Sequence, residues 1–249
     1  MVKQQMQRIY DSVIWPLRFL AILWVIQIIQ AFTPLSFYHL GVYPGKIWGL
    51  KGILFMPLIH GDFGHLLSNS LPFLSLSVMI LFFYRKIAWP SFFVIYFLSG
   101  VLVWLTGFFP IVFGPSNYHI GASGVIYGLA AFLFGNGIFR RNAKAIALAL
   151  IVVLYYGSMI WGIIPGREGI SWQGHLMGGI AGLLTSFWFK GVLEKDEEPK
   201  KYDWELLDEQ AQDDAYFLDR DAFDKTKQQR AAEKADRDRS SWFSSNTWD

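Results

Sequence analysis

The 249-residue chain contains no cysteine, which excludes disulfides, thiolate metal ligands and a cysteine nucleophile. Acidic residues are almost as scarce over most of its length. Residues 1–193 hold only Asp11, Asp62 and Glu168, against twelve Lys and Arg. Charged residues make up 17% of the chain and apolar ones 53%, and the mean hydropathy is +0.30. Soluble domains average about 25% charged residues, so the composition predicts a membrane protein. The near-neutral total hides two unlike regions. From 194 to 249 the chain carries ten basic residues against seventeen acidic ones. The first apolar run also lacks a small-residue cleavage site and is long enough to span, so it is expected to be a transmembrane helix rather than a signal peptide.

A helix needs about 20 mostly apolar residues to cross the hydrocarbon core. Six segments meet that length: roughly 13–32, 65–83, 89–109, 121–138, 145–164 and 171–189. An even number of spans puts both termini on one side. Lys3, Arg8, Arg18, Arg85, Lys86, Arg140, Arg141, Lys144, Lys190 and Lys195 fall at one face, and only Lys46, Lys51 and Arg167 at the other. The positive-inside rule makes the first face cytoplasmic. Trp15, Trp48, Trp89, Trp161 and Trp172 stand near the ends of predicted spans, as interfacial aromatics do. The connection 33–64 carries Trp48 and the apolar run Ile53 to Ile59, which suggests a partly buried element lying along the membrane. The connection 110–120 has no acidic residue, Lys or Arg and is expected to dip inward ahead of the fourth span. Residues 194–249 contain no repeat and scatter Trp204, Leu206, Leu207, Phe217, Leu218 and Phe223 among charges. They read as a charged, flexible cytoplasmic tail.

Polar side chains inside a span are costly and mark function or interhelical hydrogen bonding. In the second span, His65 and Asn69 are four residues apart and share a helix face, with His60 just before them. Asn69, Ser68 and Ser70 are equally suited to bonding neighbouring helices. The fourth span begins Gly121-Ala122-Ser123-Gly124 and continues to Tyr127 and Gly128. Small residues there also suit close packing, and Val125 stands where the G-x-S-x-G elbow of soluble hydrolases has its last glycine. In the sixth span, Gly174, Gly178 and Gly182 form a small-residue ridge beside His175. Packing accounts for the glycines but not for the histidine.

Serine needs an adjacent base before it attacks a carbonyl, and His175 is the only histidine in the last three spans. The ridge would bring it to Ser123. His65, Asn69 and the Ser123 N–H are candidate oxyanion donors. A third, orienting carboxylate has no good candidate among Asp11, Asp62 and Glu168, so a dyad is expected, with Tyr127 stacking on the imidazole.

Taken together, His60-x4-His65-x3-Asn69, the GASG at 121–124 and the GHLMGG at 174–179 resemble the rhomboid protease family over roughly residues 47–190. The resemblance implies an all-α, six-transmembrane-helix rhomboid-like bundle over residues 1–193. It implies a Ser123–His175 dyad, an oxyanion site at His65 and Asn69 with His60 nearby, Tyr127 packed on His175, and Gly178 in the contact between the fourth and sixth helices. Gly121 and Gly124 flank the nucleophile in that motif. Transmembrane helices would be cut near the non-cytoplasmic face through an acyl-enzyme. The first-loop Trp-Arg pair of some bacterial relatives is absent, since Gly49 follows Trp48. No cofactor, metal or nucleic acid is expected. The partners are transmembrane protein substrates and the lipid bilayer, and the setting a bacterial plasma membrane. Three rivals predict other features: an inactive relative would lack Ser123 or His175, a transporter would show inverted repeats, and a His60–His65–His175 metal site would have a nearby Glu.

Overall fold

The computed structural model describes residues 2–166, 171–194, 196–197 and 224–245, so Arg167, Glu168, Lys195 and the scattered apolar residues from Trp204 to Phe223 lie outside the described residues. The chain divides into two compact units, Met1–Glu198 and Pro199–Asp249. The first is built from α1 (Val2–Phe32), α2 (Gly52–Phe55), α3 (Phe63–Phe83), α4 (Ala88–Leu105), α5 (Pro110–Phe113), α6 (Ser123–Arg140), α7 (Ala143–Tyr156) and α8 (Trp172–Trp188). Tighter 3-10 turns extend α4 over Thr106–Phe108 and α7 over Gly157–Ile163. Among the described residues the only β-type pairing is an isolated bridge between Val42 and His119.

Four helical stretches, Gln5–Phe32, Phe63–Phe83, Ala88–Phe108 and Ala143–Ile163, are long and apolar enough to cross a membrane. The other two segments expected to span correspond to α6 and α8. Helix α8 has 17 residues, and α6 carries Asn136, Arg140 and several glycines. Both give their small residues to neighbouring helices rather than to the surroundings. Helix α6 packs on α3, α4, α7 and α8, and its Val125, Ile126, Leu129, Phe132 and Leu133 are buried with Leu66, Phe73 and Leu76 of α3 and Ile95 of α4.

Local signals set where the helices start. Asp62 Oδ1 accepts from the His65 N–H at 2.8 Å, Asn142 Oδ1 from the Ala145 N–H at 2.8 Å and Ser171 Oγ from the Gly174 N–H at 3.1 Å. Each satisfies a donor that the first turn leaves open. The connection 33–64 is partly buried: Gly52, Met56 and Pro57 are covered, while Trp48 and Ile47 are exposed.

At one end of the bundle α1, α4 and α7 begin and α3, α6 and α8 finish. Arg8 of α1 donates its Nε–H to Phe82 O at 3.0 Å. Chain leaving α8 folds back over this end instead of departing as a solvated tail. Arg140 donates to Phe189 O at 2.9 Å, Val192 O at 2.9 Å and Glu197 Oε2 at 2.7 Å, and Glu194 Oε1 accepts from the Lys86 N–H at 2.9 Å. The bundle therefore reaches a few residues past 193. Burial works against the charge on Glu197, but the Glu194 N–H, Asn142, Lys144 and Arg140 outweigh it and hold the carboxyl below its usual range.

The second unit, described by itself, contains α9 (Lys227–Ser245). Thr226 and Gln229 start it with a reciprocal capping box: Thr226 N donates to Gln229 Oε1 at 2.9 Å and Gln229 N to Thr226 Oγ1 at 3.4 Å. Part of the expected flexible tail is thus helical, because this cap precedes a run of strong helix formers.

Candidate active site

At the opposite end of the bundle, α3, α6 and α8 begin together around a cavity of about 690 Å³. Ser123, His175, His65, Asn69 and Tyr127 all line it, along with Ser68, His119, Ser171, Gln173 and Asp62. His60 lies behind its wall, 1% exposed, and its ring meets that of His65 edge-on at 5.1 Å between centroids.

The nucleophile candidate sits at a helix start whose entry is forced. Gly121 has φ +106°, which an L side chain rarely adopts, and a Cβ there would lie 2.7 Å from His65 Cε1. Its N–H donates to Met56 O at 2.9 Å, and the Ala122 N–H donates to His60 Nε2 at 3.3 Å. These two bonds hold the turn so that Ser123 opens α6, where the positive end of the helix dipole lies. They also use His60 as an acceptor, leaving its Nδ1 buried without a partner among the described residues.

The base candidate is held by packing and one carbonyl. Gly178 and Gly182 lie so close to the backbone of Gly124 and Gly128 that a Cβ on either would overlap a carbonyl oxygen of α6. His175 thereby starts α8 beside the start of α6. Its ring stacks on Tyr127 at 4.1 Å between centroids and 10° between planes, and Tyr127 donates its hydroxyl to Met159 O at 2.6 Å. His175 Nδ1 lies 2.9 Å from Gly162 O. A carbonyl can only accept, so Nδ1 carries the proton and Nε2 of the neutral ring keeps its lone pair. Ser123 and His175 share the cavity without a hydrogen bond between them.

Asp62 caps α3 rather than orienting an imidazole. Asn69 is 7% exposed and its Nδ2 has no acceptor among the described residues, so a donor stands uncommitted at the cavity wall. Among the described residues no cluster of His, Cys, Asp and Glu has the makings of a metal site.

Several participants were not singled out in the sequence. Gly162 and Met159 act through backbone carbonyls, which no side-chain pattern reveals. A Cβ at Gly162 would overlap the Tyr127 hydroxyl and stand 2.9 Å from His175 Nδ1. His119 Nδ1 and Ser171 Oγ lie 2.5 Å apart, tying the loop before α6 to the cap of α8. His119 also pairs through its backbone with Val42, at 3.0 and 2.8 Å. Burial lowers its pKa to about 4. Gln173 donates to Phe113 O at 2.9 Å and Trp172 stacks on Phe113, so α5 is docked on the same rim. Ser171 had a legible signal, a serine just before a helical run. His119 had none.

The model of the rhomboid domain matches residues 44–191. An uncharacterized protein of Mycobacterium tuberculosis is 37% identical over 175 residues, covering 69% of this chain and 72% of its own length. An uncharacterized protein of Mycobacterium leprae is also 37% identical, covering 69% and 68%. The Bacillus subtilis protein named "Putative rhomboid protease YdcA" is 28% identical over 192 residues, covering 72% of this chain and 89% of its own. With a family match over more than half its length and its apolar helices, the chain is an integral membrane protein that belongs to the rhomboid family.

Proposed function

We propose that this chain is an intramembrane serine endopeptidase acting on transmembrane protein substrates, with Ser123 as nucleophile and His175 as base. The observation that carries the reading is the treatment of His175: stacked on Tyr127 and bonded through Nδ1 to Gly162 O, it keeps an Nε2 lone pair for a proton with no carboxylate on its ring among the described residues. The shared cavity supplies room for a peptide carbonyl and water. Ser123 Oγ attacks the carbonyl carbon as its proton passes to Nε2. The C–N bond then breaks, and His175 returns the proton to the leaving amine. Water repeats the sequence on the acyl-serine. Asn69 Nδ2, His65 and the Ser123 N–H stabilise the oxyanion, and His60 holds the Ala122 N–H.

The reading includes six spans with both termini cytoplasmic in a bacterial plasma membrane, α6 crossing among α3, α4, α7 and α8, and α8 crossing against α4 and α6. The basic groups at the Arg140 end then face the cytoplasm, and the cavity opens at the other face, where substrates are cut. A tail partner, if one exists, would meet residues 194–249.

The decisive experiment combines a fluorophosphonate probe and a transmembrane substrate with purified protein, beside Ser123→Ala and His175→Ala. Wild type labels and cleaves, and both variants fall to background. Failure of the wild type on both readouts, or full activity in Ser123→Ala, overturns the proposal.

A further inference from the structure

A second cavity, about 440 Å³, opens on the flank formed by α1, α3, α4 and the α2 region, apart from the one containing Ser123. Helix α1 lies outside the residues matched by the rhomboid domain, so this space is built partly by a segment the family match does not cover. Its wall is apolar almost everywhere. Arg18 is the one charged residue that lines it.

Arg18 lies within a stretch able to cross the membrane, is exposed, and has no acidic partner among the described residues. Its guanidinium rests over the Trp15 ring at 4.9 Å. Trp15 in turn meets Trp89 edge-on at 5.6 Å. A lone cation in an apolar span is costly unless it reaches an anion or the interface, and tryptophans mark that depth. Arg18 stands near the middle of α1, and its guanidinium reaches back to Trp15, which is level with Trp89 at the start of α4. From Trp89, α4 rises about 10 Å to Tyr96, whose hydroxyl donates to Leu54 O at 2.5 Å and closes the far end.

Arg18 thus stands exposed over Trp15 at the rim, and the cavity itself offers only hydrocarbon. We propose that it binds one phospholipid, its phosphate on Arg18 and one acyl chain running along α4 toward Leu54. A transmembrane helix fits poorly. At about 10 Å across it would need about 800 Å³ over a 10 Å length, whereas a single chain is slender enough to enter.

Native mass spectrometry of the full chain tests this with phosphatidylglycerol and phosphatidylcholine of matched acyl chains. Wild type is expected to retain one lipid per chain and to prefer phosphatidylglycerol. Arg18→Gln should lower phosphatidylglycerol affinity at least tenfold, to the level of phosphatidylcholine. Ile22→Trp, which fills the cavity from an exposed position, should lose both, while Lys51→Gln elsewhere on the surface should leave both unchanged. The proposal is overturned if the wild type retains no lipid, or if Arg18→Gln and Ile22→Trp bind as wild type does. It is equally overturned if cysteines placed at Ile22 crosslink two chains across this face. None of these readouts depends on proteolysis.

Discussion

The end of the bundle around Arg140 and the end around Ser123 are made from the same helices, yet among the described residues only the first ties buried charges into ion pairs. At the first, the Arg140 side chain is 1% exposed and that of Glu197 3%, and the guanidinium spends its donors on Asn136, Val192 O, Phe189 O and Glu197. Lys144 adds Asp196 and Glu197 at 3.0 and 3.1 Å. At the second, Asn69 Nδ2 and His60 Nδ1 are buried without partners among the described residues, as Asn136 Nδ2 and the Tyr84 hydroxyl are near Arg140, and Gly121 holds a backbone angle few residues adopt. Buried polar groups are normally satisfied. Leaving them open costs stability, and such costs concentrate where a reacting group will later supply the missing partner. One end is closed by ion pairs, and under the proposed function the open Asn69 donor at the other meets the oxyanion.

That contrast predicts which variants lose stability and which lose activity. The largest effect belongs to Glu197→Ala, which strands a buried guanidinium and should cost about 3–5 kcal/mol in chemical denaturation. Folded molecules of this variant should still label with the fluorophosphonate. Asn69→Ala should do the reverse: kcat falls by about 10²–10³, while thermal unfolding stays within about 1 kcal/mol of wild type, because the amide donor had no partner to lose. Equal loss of stability in both variants would break the comparison.

Gly178→Ala tests the joint between the two ends. Its Cβ overlaps Gly124 O, so overpacking should cost about 1–3 kcal/mol and displace His175 as well, lowering stability and labelling together. A further test of the Ser123 end is pH. The folded pKa of His119 lies at about 4, below its unfolded value of about 6.5. The unfolded chain therefore binds the proton first on acidification, and stability from this group falls between about pH 6.5 and 4. His119→Asn should flatten that window in a pH series of melting curves.

Much of this was legible in sequence, for reasons that can be named residue by residue. Apolar length located α3, α4, α6, α7 and α8 near their observed bounds, whereas α1 begins at Val2, well before the expected 13. The four-residue spacing of His65 and Asn69 put both on one face of α3. The spacing of Gly174, Gly178 and Gly182 announced a close helix contact, although only the structure shows Gly124 and Gly128 as the facing backbone. The Gly162 carbonyl was not legible, because any residue has a carbonyl and its direction depends on the 3-10 turn that ends α7. Nor was the fold-back of Glu194 and Glu197. A charge-rich run reads as solvated until a buried Arg140 is known to wait for it.

Composition and periodicity by themselves determined that this is a helical membrane protein with serine, histidine and asparagine on three separate segments, since helix formation and membrane insertion depend on local chain chemistry. The tertiary structure alone decided that those side chains line one cavity, that His175 is held by a carbonyl instead of a carboxylate, and that Arg140 is neutralised by the chain leaving α8. Those outcomes depend on contacts between residues tens of positions apart, set by how closely glycine lets two backbones approach.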